Sequence, residues 1–342
     1  MKKISLSGIK PTGTPHLGNY LGMIRPALEL AKDYQAFYFI ADAHALNQVG
    51  DGGELRRMTF ETAATLLALG LNPEEVIFFR QSDIPELFEL TVILAASTSK
   101  GLLNRAHAYK AAVEANLATG RDPDDGVNMG MYTYPILMAA DILLFGSHVV
   151  PVGEDQRQHV EIAADIAQAF NRAYGEVLVV PEAAIREEVA GIPGTDGRKM
   201  SKSYGNIIPI FSPPDQLHAR IMGIVTDSRP QEKPKNPDQD NLFGIYKHFA
   251  TREETEAMRR KYLRGGFGYG EVKQALYEAL ERTFAAARIR YEGYLLDQPA
   301  LDRALFAGAE KARASCAPLM HKVREAVGFR RGEAAHLPSP AG

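Results

Sequence analysis

Tryptophan is absent from the 342 residues, and cysteine occurs once, at Cys316. A single thiol excludes a disulfide framework and a cysteine-based zinc site, and it fits a reducing cytoplasm. No long uninterrupted apolar run occurs, so no membrane-spanning helix is expected. The opening Met1-Lys2-Lys3-Ile4-Ser5 is basic but soon meets Ser7, Gly8 and Lys10, and lacks the apolar core of a signal peptide. An excess of one charge is also missing. A net charge of −3 argues against a protein that coats nucleic acid wholesale, although Thr251 to Arg331 is mildly basic and compatible with a polyanionic partner. No internal repeat is visible. With 45% hydrophobic and 24% charged residues, the chain is an ordinary globular one, long enough for a large α/β domain and a smaller second one.

The most informative stretch lies near the start. Ile4 to Ile9 alternates as a strand does, Pro11 to Asn19 (P-T-G-T-P-H-L-G-N) is a turn rich in Gly and Pro, and Leu17, Tyr20, Leu21, Ile24, Ala27 and Leu28 then recur at helical spacing. Strand, turn and helix start together aim backbone N–H groups and a positive helix end at an anion. His16 and Asn19 share a face of the first turn, and Gly18 between them leaves room for a flat ring such as a nucleobase. Taken alone, the turn is equally well an ordinary connection with a polar cap.

Further on, Ala36 to Ala41 is apolar throughout, as a strand buried on both faces is, and it runs into Asp42-Ala43-His44 at the end where α/β proteins place ligands. A helix over about Gly53 to Gly70, a strand at Glu75 to Arg80, helices between 83 and 120 and a mobile polar loop from Gly120 to Gly130 follow. The next helix is expected from Tyr132 to Phe145, with Pro135 in its first turn and Tyr134, Met138 and Asp141 projecting toward one site. A strand at His148 to Val152 enters Gly153-Glu154-Asp155-Gln156, which opens a long amphipathic helix. Gly191 to Gly205 has the composition of a flexible basic loop with almost nothing to anchor it. The rest is helical in pattern, interrupted at Ser228 to Asp240. These features predict an α/β fold, a Rossmann-like doubly wound parallel sheet with a C-terminal all-helical domain. The expected divisions are a sheet domain over 1–190, a mobile loop over 191–206, a helical domain over 207–331 and a flexible tail over 332–342.

Two motifs carry a resemblance. His16-Leu17-Gly18-Asn19 resembles the HIGH signature of class I aminoacyl-tRNA synthetases in its HxGN form, and Lys199-Met200-Ser201-Lys202-Ser203 matches their KMSKS loop letter for letter. Gly8 to Gly13, Tyr134 to Leu143, Val150 to Gln156, Val225 to Ser228, Asn241 to Tyr246 and Gly308 to Ala312 narrow the resemblance to the tryptophanyl-tRNA synthetases, over nearly the whole chain. Such an enzyme joins an amino-acid carboxylate to the α-phosphate of ATP as pyrophosphate leaves. The carboxylate is already ionised, so positioning and charge stabilisation suffice without a general base.

The resemblance implies catalytic roles for His16, Asn19, Lys199 and Lys202. ATP contacts are implied for Lys10, Pro11, Thr12, Gly18, Asn19, Gly153, Glu154, Asp155, Ile192, Lys199, Met200, Ser201, Lys202 and Ser203. For tryptophan the implied set is Asp141, Tyr134, Met138, Gln156, Gly8, Val150, Val152 and His44. An indole N–H only donates, so its pocket needs an acceptor such as Asp141, while Met138, Tyr134, Val150 and Val152 would wall a flat apolar ring. Met138 stands where tyrosyl relatives generally have Gln, which favours tryptophan. Also implied are ATP with Mg²⁺ carried by the nucleotide and no protein-bound metal, tRNA(Trp) as partner, a homodimer, a cytoplasmic location and anticodon reading by the helical domain. The alternatives are a tyrosine-type synthetase, a tRNA-binding paralogue that has lost synthesis, and a simpler nucleotidyltransferase. Lys10 departs from the family, many members having Gln there, and Leu6 stands where an aromatic often lines the indole site.

Overall fold

The computed structural model describes residues 3–11, 13–30, 33–153, 156–185 and 192–329. Thr12, Glu154, Asp155 and the expected tail over 332–342 lie outside the described residues. Five parallel strands, β1 (Ile4–Ile9), β2 (Gln35–Ile40), β3 (Ile77–Arg80), β4 (Val149–Val152) and β5 (Glu182–Ile185), form one sheet in the order β3-β2-β1-β4-β5. This is the doubly wound arrangement expected from the sequence, reversing direction between β1 and β4, where such sheets open a ligand crevice at their carboxyl ends. The pairing shows the opening. β1 and β2 are in register from Ile4↔Gln35 to Ile9↔Ile40, whereas β1 and β4 are paired only at Ser5↔Val149.

The N-terminal helices are α1 (Leu17–Asn19), α2 (Arg25–Leu30), α3 (Asp42–Ala45) and α4 (Gly52–Ala68), and a π-helical turn at Tyr20–Ile24 joins α1 to α2. Next come α5 (Pro85–Ser97), α6 (Lys100–Leu103), α7 (His107–Ala118), α8 (Met129–Leu144) and α9 (Arg157–Tyr174). The C-terminal part contributes α10 (Pro214–Met222), α11 (Asn241–Tyr246), α12 (Arg252–Arg264), α13 (Tyr269–Leu296) and α14 (Gln298–Ala326). Alternation along β2 sorts the core. Tyr38 and Ile40 face a cluster with Leu17, Leu21 and the C-terminal Ile208, Phe243, Leu276 and Phe284, while Phe37 and Phe39 face α5, α8 and α9. The helical part therefore shares a continuous core with one face of the sheet.

The last helix bridges both layers. Leu301 and Leu305 belong to the first cluster, and Ala309, Ala312, Cys316 and Met320 to the second. At the crossing, α14 lies so close to edge strand β3 that a Cβ on Gly308 would fall 1.7 Å from the Phe78 carbonyl oxygen. Glycine permits the approach, and the helix covers an edge that would otherwise invite pairing. Ion pairs from Arg313 to Glu86 and from Arg324 to Glu89 fasten α14 to α5.

One expectation is corrected in α8. The helix begins at Met129, before Tyr132, because the Asn128 side chain accepts from Met131 N and caps it. Pro135 is thus inside the helix, not in its first turn.

Candidate active site

The turn after β1 is built around a histidine cap. Asn19 Oδ1 accepts from His16 N at 3.1 Å, and His16 Nδ1 accepts from Gly18 N at 3.1 Å, a reciprocal box that satisfies two exposed donors of the helix start. Because Nδ1 accepts, the proton of the neutral ring sits on Nε2. His16 is buried, and burial first, then the nearby Lys202 cation, push its pKa down to about 4. At neutral pH His16 is an uncharged N–H donor. A Cβ at Gly18 would lie 2.9 Å from the His16 ring, so the room expected there for a flat group is filled on that side by the imidazole.

The K-M-S-K-S segment reaches this turn from far along the chain. Leu17 N donates to Ile208 O and Ile210 N to Pro15 O, and a β-bridge links His16 with Pro209. Met200 Cβ lies 3.8 Å from the Cβ position of Gly18, and Lys202 Nζ lies 3.7 Å from that of Gly13, whose φ of +88° turns the chain back. The expectation that the segment has almost nothing to anchor it is wrong for its described part. Asn206, buried, accepts from Ser201 N and donates to Asp196 Oδ1 and Lys199 O, while Met200 N donates to Ile192 O. Met200 and Ile192 bury their side chains in the first core, and the Met200 N–Ile192 O bond joins their backbones. Lys199, Lys202 and Ser203 are exposed at the rim, and Ser201 and Ser203 hydroxyls are 2.8 Å apart. Lys10, half-buried past β1, has its pKa lowered by burial and makes no hydrogen bond or ion pair within the described chain. Lys202 is likewise lowered by desolvation, opposed by Glu61. Pro11 is buried beside them, and Gly153 follows β4 across the crevice.

The other side of the crevice is a network of side chains. Asp141, 4% exposed in α8, accepts from His44 Nε2 at 3.0 Å and from Gln81 Nε2 at 2.9 Å to each oxygen. Burial pushes its carboxyl up, and the bonds from His44 and Gln81 pull the other way. Oδ2 takes two donors and Oδ1 shares one, so Oδ1 retains acceptor capacity for a further N–H. About two turns earlier on the same face, Tyr134 Oη lies 2.6 Å from His159 Nε2, and His159 Nδ1 lies 2.7 Å from Gln156 Oε1. Tyr134 stands edge-on between the His44 and His159 rings. Met138 and Val152 are half-buried at the margin of the second core, and Val150 is buried in it. Gly8 admits the Phe39 ring, which would sit 2.4 Å from a Cβ there.

Gln81, His159 and Asn206 were not foreseen. Gln81 follows β3 as His44 follows β2, and His159 is three residues past Gln156 on one helical face, so position alone could have marked both.

The sequence profile of the family described as tRNA synthetases class I (W and Y) matches residues 2–285. Tryptophan–tRNA ligase of Pseudomonas aeruginosa is 53% identical over 330 residues, 95% of this chain and 73% of the relative. That of Xanthomonas axonopodis is 49% identical over 329 residues, 95% of this chain and 76% of the relative. The crystal structure of the Campylobacter jejuni tryptophanyl-tRNA synthetase, complexed with ADP and tryptophan, superposes with a TM-score of 0.87 at 42% identity, covering 95% of this chain and 99% of that one. A cationic turn-and-loop site facing a buried carboxylate, on a chain so matched, places it plainly: the chain belongs to the class I tRNA synthetases of the W and Y family, among the tryptophan–tRNA ligases.

Proposed function

We propose that this ligase activates L-tryptophan with ATP and transfers it to tRNA(Trp) by the following division of labour. The contact between the His16–Asn19 turn and the Lys199–Ser203 segment, opposite the Asp141 pocket, carries the reading. Asp141 Oδ1 accepts the indole N–H while Met138 and Val152 flank the ring. A substrate carboxylate oxygen then bonds to the α-phosphorus, the bond to the bridging oxygen breaks, and pyrophosphate leaves with its electrons. Lys199 and Lys202 take up charge on the leaving group, with Ser201 and Ser203 as neutral donors. His16 donates its Nε2–H to a phosphate oxygen without adding repulsion or competing for a proton. The adenylate carbonyl next passes to a terminal adenosine hydroxyl of the tRNA, releasing AMP.

Mg²⁺ would arrive on the nucleotide, neutralising phosphate charge. The lysines lining this side do not ligate metals, and among the described residues no three His, Cys, Asp or Glu converge. A homodimer is proposed on family grounds, supported by Phe88 and Val92, exposed one turn apart on α5. The division into a catalytic part over 1–190, a KMSKS loop over 191–206 and an anticodon-reading part over 207–331 is proposed likewise. A cytoplasmic location fits a lone, buried Cys316 whose thiol burial pushes up to about 12, and among the described residues no helix is long and apolar enough to cross a membrane.

Pyrophosphate exchange tests the reading. It should depend on L-tryptophan and not on L-tyrosine, and total tRNA should become charged. Equal stimulation by tyrosine would overturn the substrate assignment, and exchange without charging would overturn the transfer step.

A further inference from the structure

Strand β3 ends where the sheet meets the last helix. Its backbone pairing to β2 stops at Ile40↔Arg80, and the one-turn helix Gln81–Asp83 runs on beyond the sheet. Side chains tie that turn down in two directions. On one side, Gln81 Nε2 lies 2.9 Å from each oxygen of Asp141, and Gln81 Oε1 accepts from His44 N at 3.3 Å. Ser82 donates through both N and Oγ to Asp42, so the turn and α3 hold one another. Arg80 reaches the other way. Its Nε donates to Asp83 within the same turn at 2.8 Å, and its Nη1 donates to Asp302 of α14 at 2.6 Å.

The even approach to Asp141 gives this brace a consequence. A carboxylate faced squarely by the Gln81 nitrogen keeps a lone pair of Oδ1 open for an indole N–H. A tilt of the turn toward Oδ1 would put a Gln81 hydrogen where the indole hydrogen must go. The turn and α3 move together, so their mutual bonds do not resist that tilt, and Asp83 tilts with the turn. The Arg80–Asp302 pair does resist it, because α14 sits on β3 at Gly308 and is fastened to α5 through Arg313 and Arg324. We propose that Asp302, on the C-terminal helix, is a positioning residue for tryptophan. Through Arg80 it holds Gln81 square to Asp141 and so keeps the indole acceptor open. The inference rests on the reading of Asp141 as that acceptor. Recognition of the indole N–H is thereby tied to the docking of α14.

The test compares equilibrium binding of L-tryptophan with that of L-benzothienylalanine, the isostere with sulfur in place of the indole N–H. Full-length wild type should prefer L-tryptophan. Asp302 is half-exposed, so its variants should fold. Asp302→Ala should cut the preference about three- to tenfold. KM for tryptophan should rise, while kcat of exchange and KM for ATP stay within about twofold. Asp302→Glu, which keeps a carboxylate, should retain most of the preference. Arg80→Met should lose at least as much as Asp302→Ala, and combining the two should cost nothing further. Arg324→Ala cuts an ion pair between α14 and α5 toward the far end of the helix, and should leave the preference at its wild-type value. Unchanged preference in Asp302→Ala, an equal loss in Arg324→Ala or Asp302→Glu, or additive losses in the double variant would reduce Asp302 to a surface ion pair and overturn the proposal. A wild type that binds both ligands equally would instead remove Asp141 as the indole acceptor, and the role of Asp302 with it.

Discussion

The two walls of the crevice are held by different physics. On the α8 side every polar group named is bonded side chain to side chain: Asp141 to His44 and Gln81, Tyr134 to His159, and His159 to Gln156. On the turn-and-loop side the backbone does the holding, through the His16 cap, the Leu17–Ile208 and Ile210–Pro15 bonds and the Asn206 tether, while the cations face outward. A neutral, apolar substrate such as an indole ring is recognised by shape and one donor, so its wall must be rigid and its polar groups satisfied before binding. A polyphosphate brings its own charge, so its wall can present cations at the rim that the ligand itself neutralises.

The largest effect separates stability from catalysis. Asp141→Ala strands the fully buried Gln81 amide and the His44 N–H, so it should cost about 2–4 kcal/mol of stability and lower kcat/KM for tryptophan at least about a hundredfold. Lys202→Ala, on the exposed rim, should lower kcat for exchange about a hundred- to a thousandfold and shift stability by less than about 0.5 kcal/mol. Thermal denaturation beside exchange kinetics checks both. A destabilised Lys202 variant would erase the contrast between the walls.

That contrast also explains what could be read from the chain alone. Strand β2, the Gly-stopped α4 and the order of elements follow from local periodicity, and the two motifs follow from their letters. Pairings between distant elements do not. Nothing local tells Gln81 that its amide will straddle a carboxylate in α8, or Gly308 that it will ride on β3. The K-M-S-K-S segment looked unanchored because its tether, Asn206, stands just past its glycines and works through main-chain groups, which composition does not reveal. Likewise α8 starts at Met129, earlier than the first-turn position expected for Pro135 implied, because the Asn128 side chain caps it there.

A smaller effect concerns the neutral donor on the cationic wall. His16 in the folded chain has a pKa near 4 against an ordinary 6.5. Below 6.5 the unfolded chain binds a proton that folded His16 refuses, so its contribution is intact above 6.5 and is lost as pH falls toward 4. The loss should reach about 1–3 kcal/mol near pH 4. His248 is depressed to about 4 as well, so the two must be separated. Denaturation of wild type and His16→Asn at several pH values does this: Asn keeps a cap but does not titrate, and the wild type's advantage should shrink between pH 6.5 and 4. A constant gap would mean that folding does not lower the His16 pKa.

Lys10→Gln gives the smallest effect and probes the open wall most directly. Lys10 carries a half-buried charge with no bond to the described chain, and its lowered pKa shows that burial works against that charge until an anion arrives. A phosphate at the carboxyl end of β1 would supply it. Replacing Lys10 by a neutral donor of similar reach should therefore leave the free protein as stable or slightly more so. It should weaken ATP about three- to tenfold, with tryptophan affinity unchanged. The ATP penalty should also shrink as salt rises, because part of what is removed is a long-range attraction that ions screen. Calorimetric titration of ATP and of tryptophan at two ionic strengths, beside thermal denaturation of the free protein, reads all of these quantities. Unchanged ATP affinity would make Lys10 a solvated bystander and leave the charge of that wall to Lys199 and Lys202.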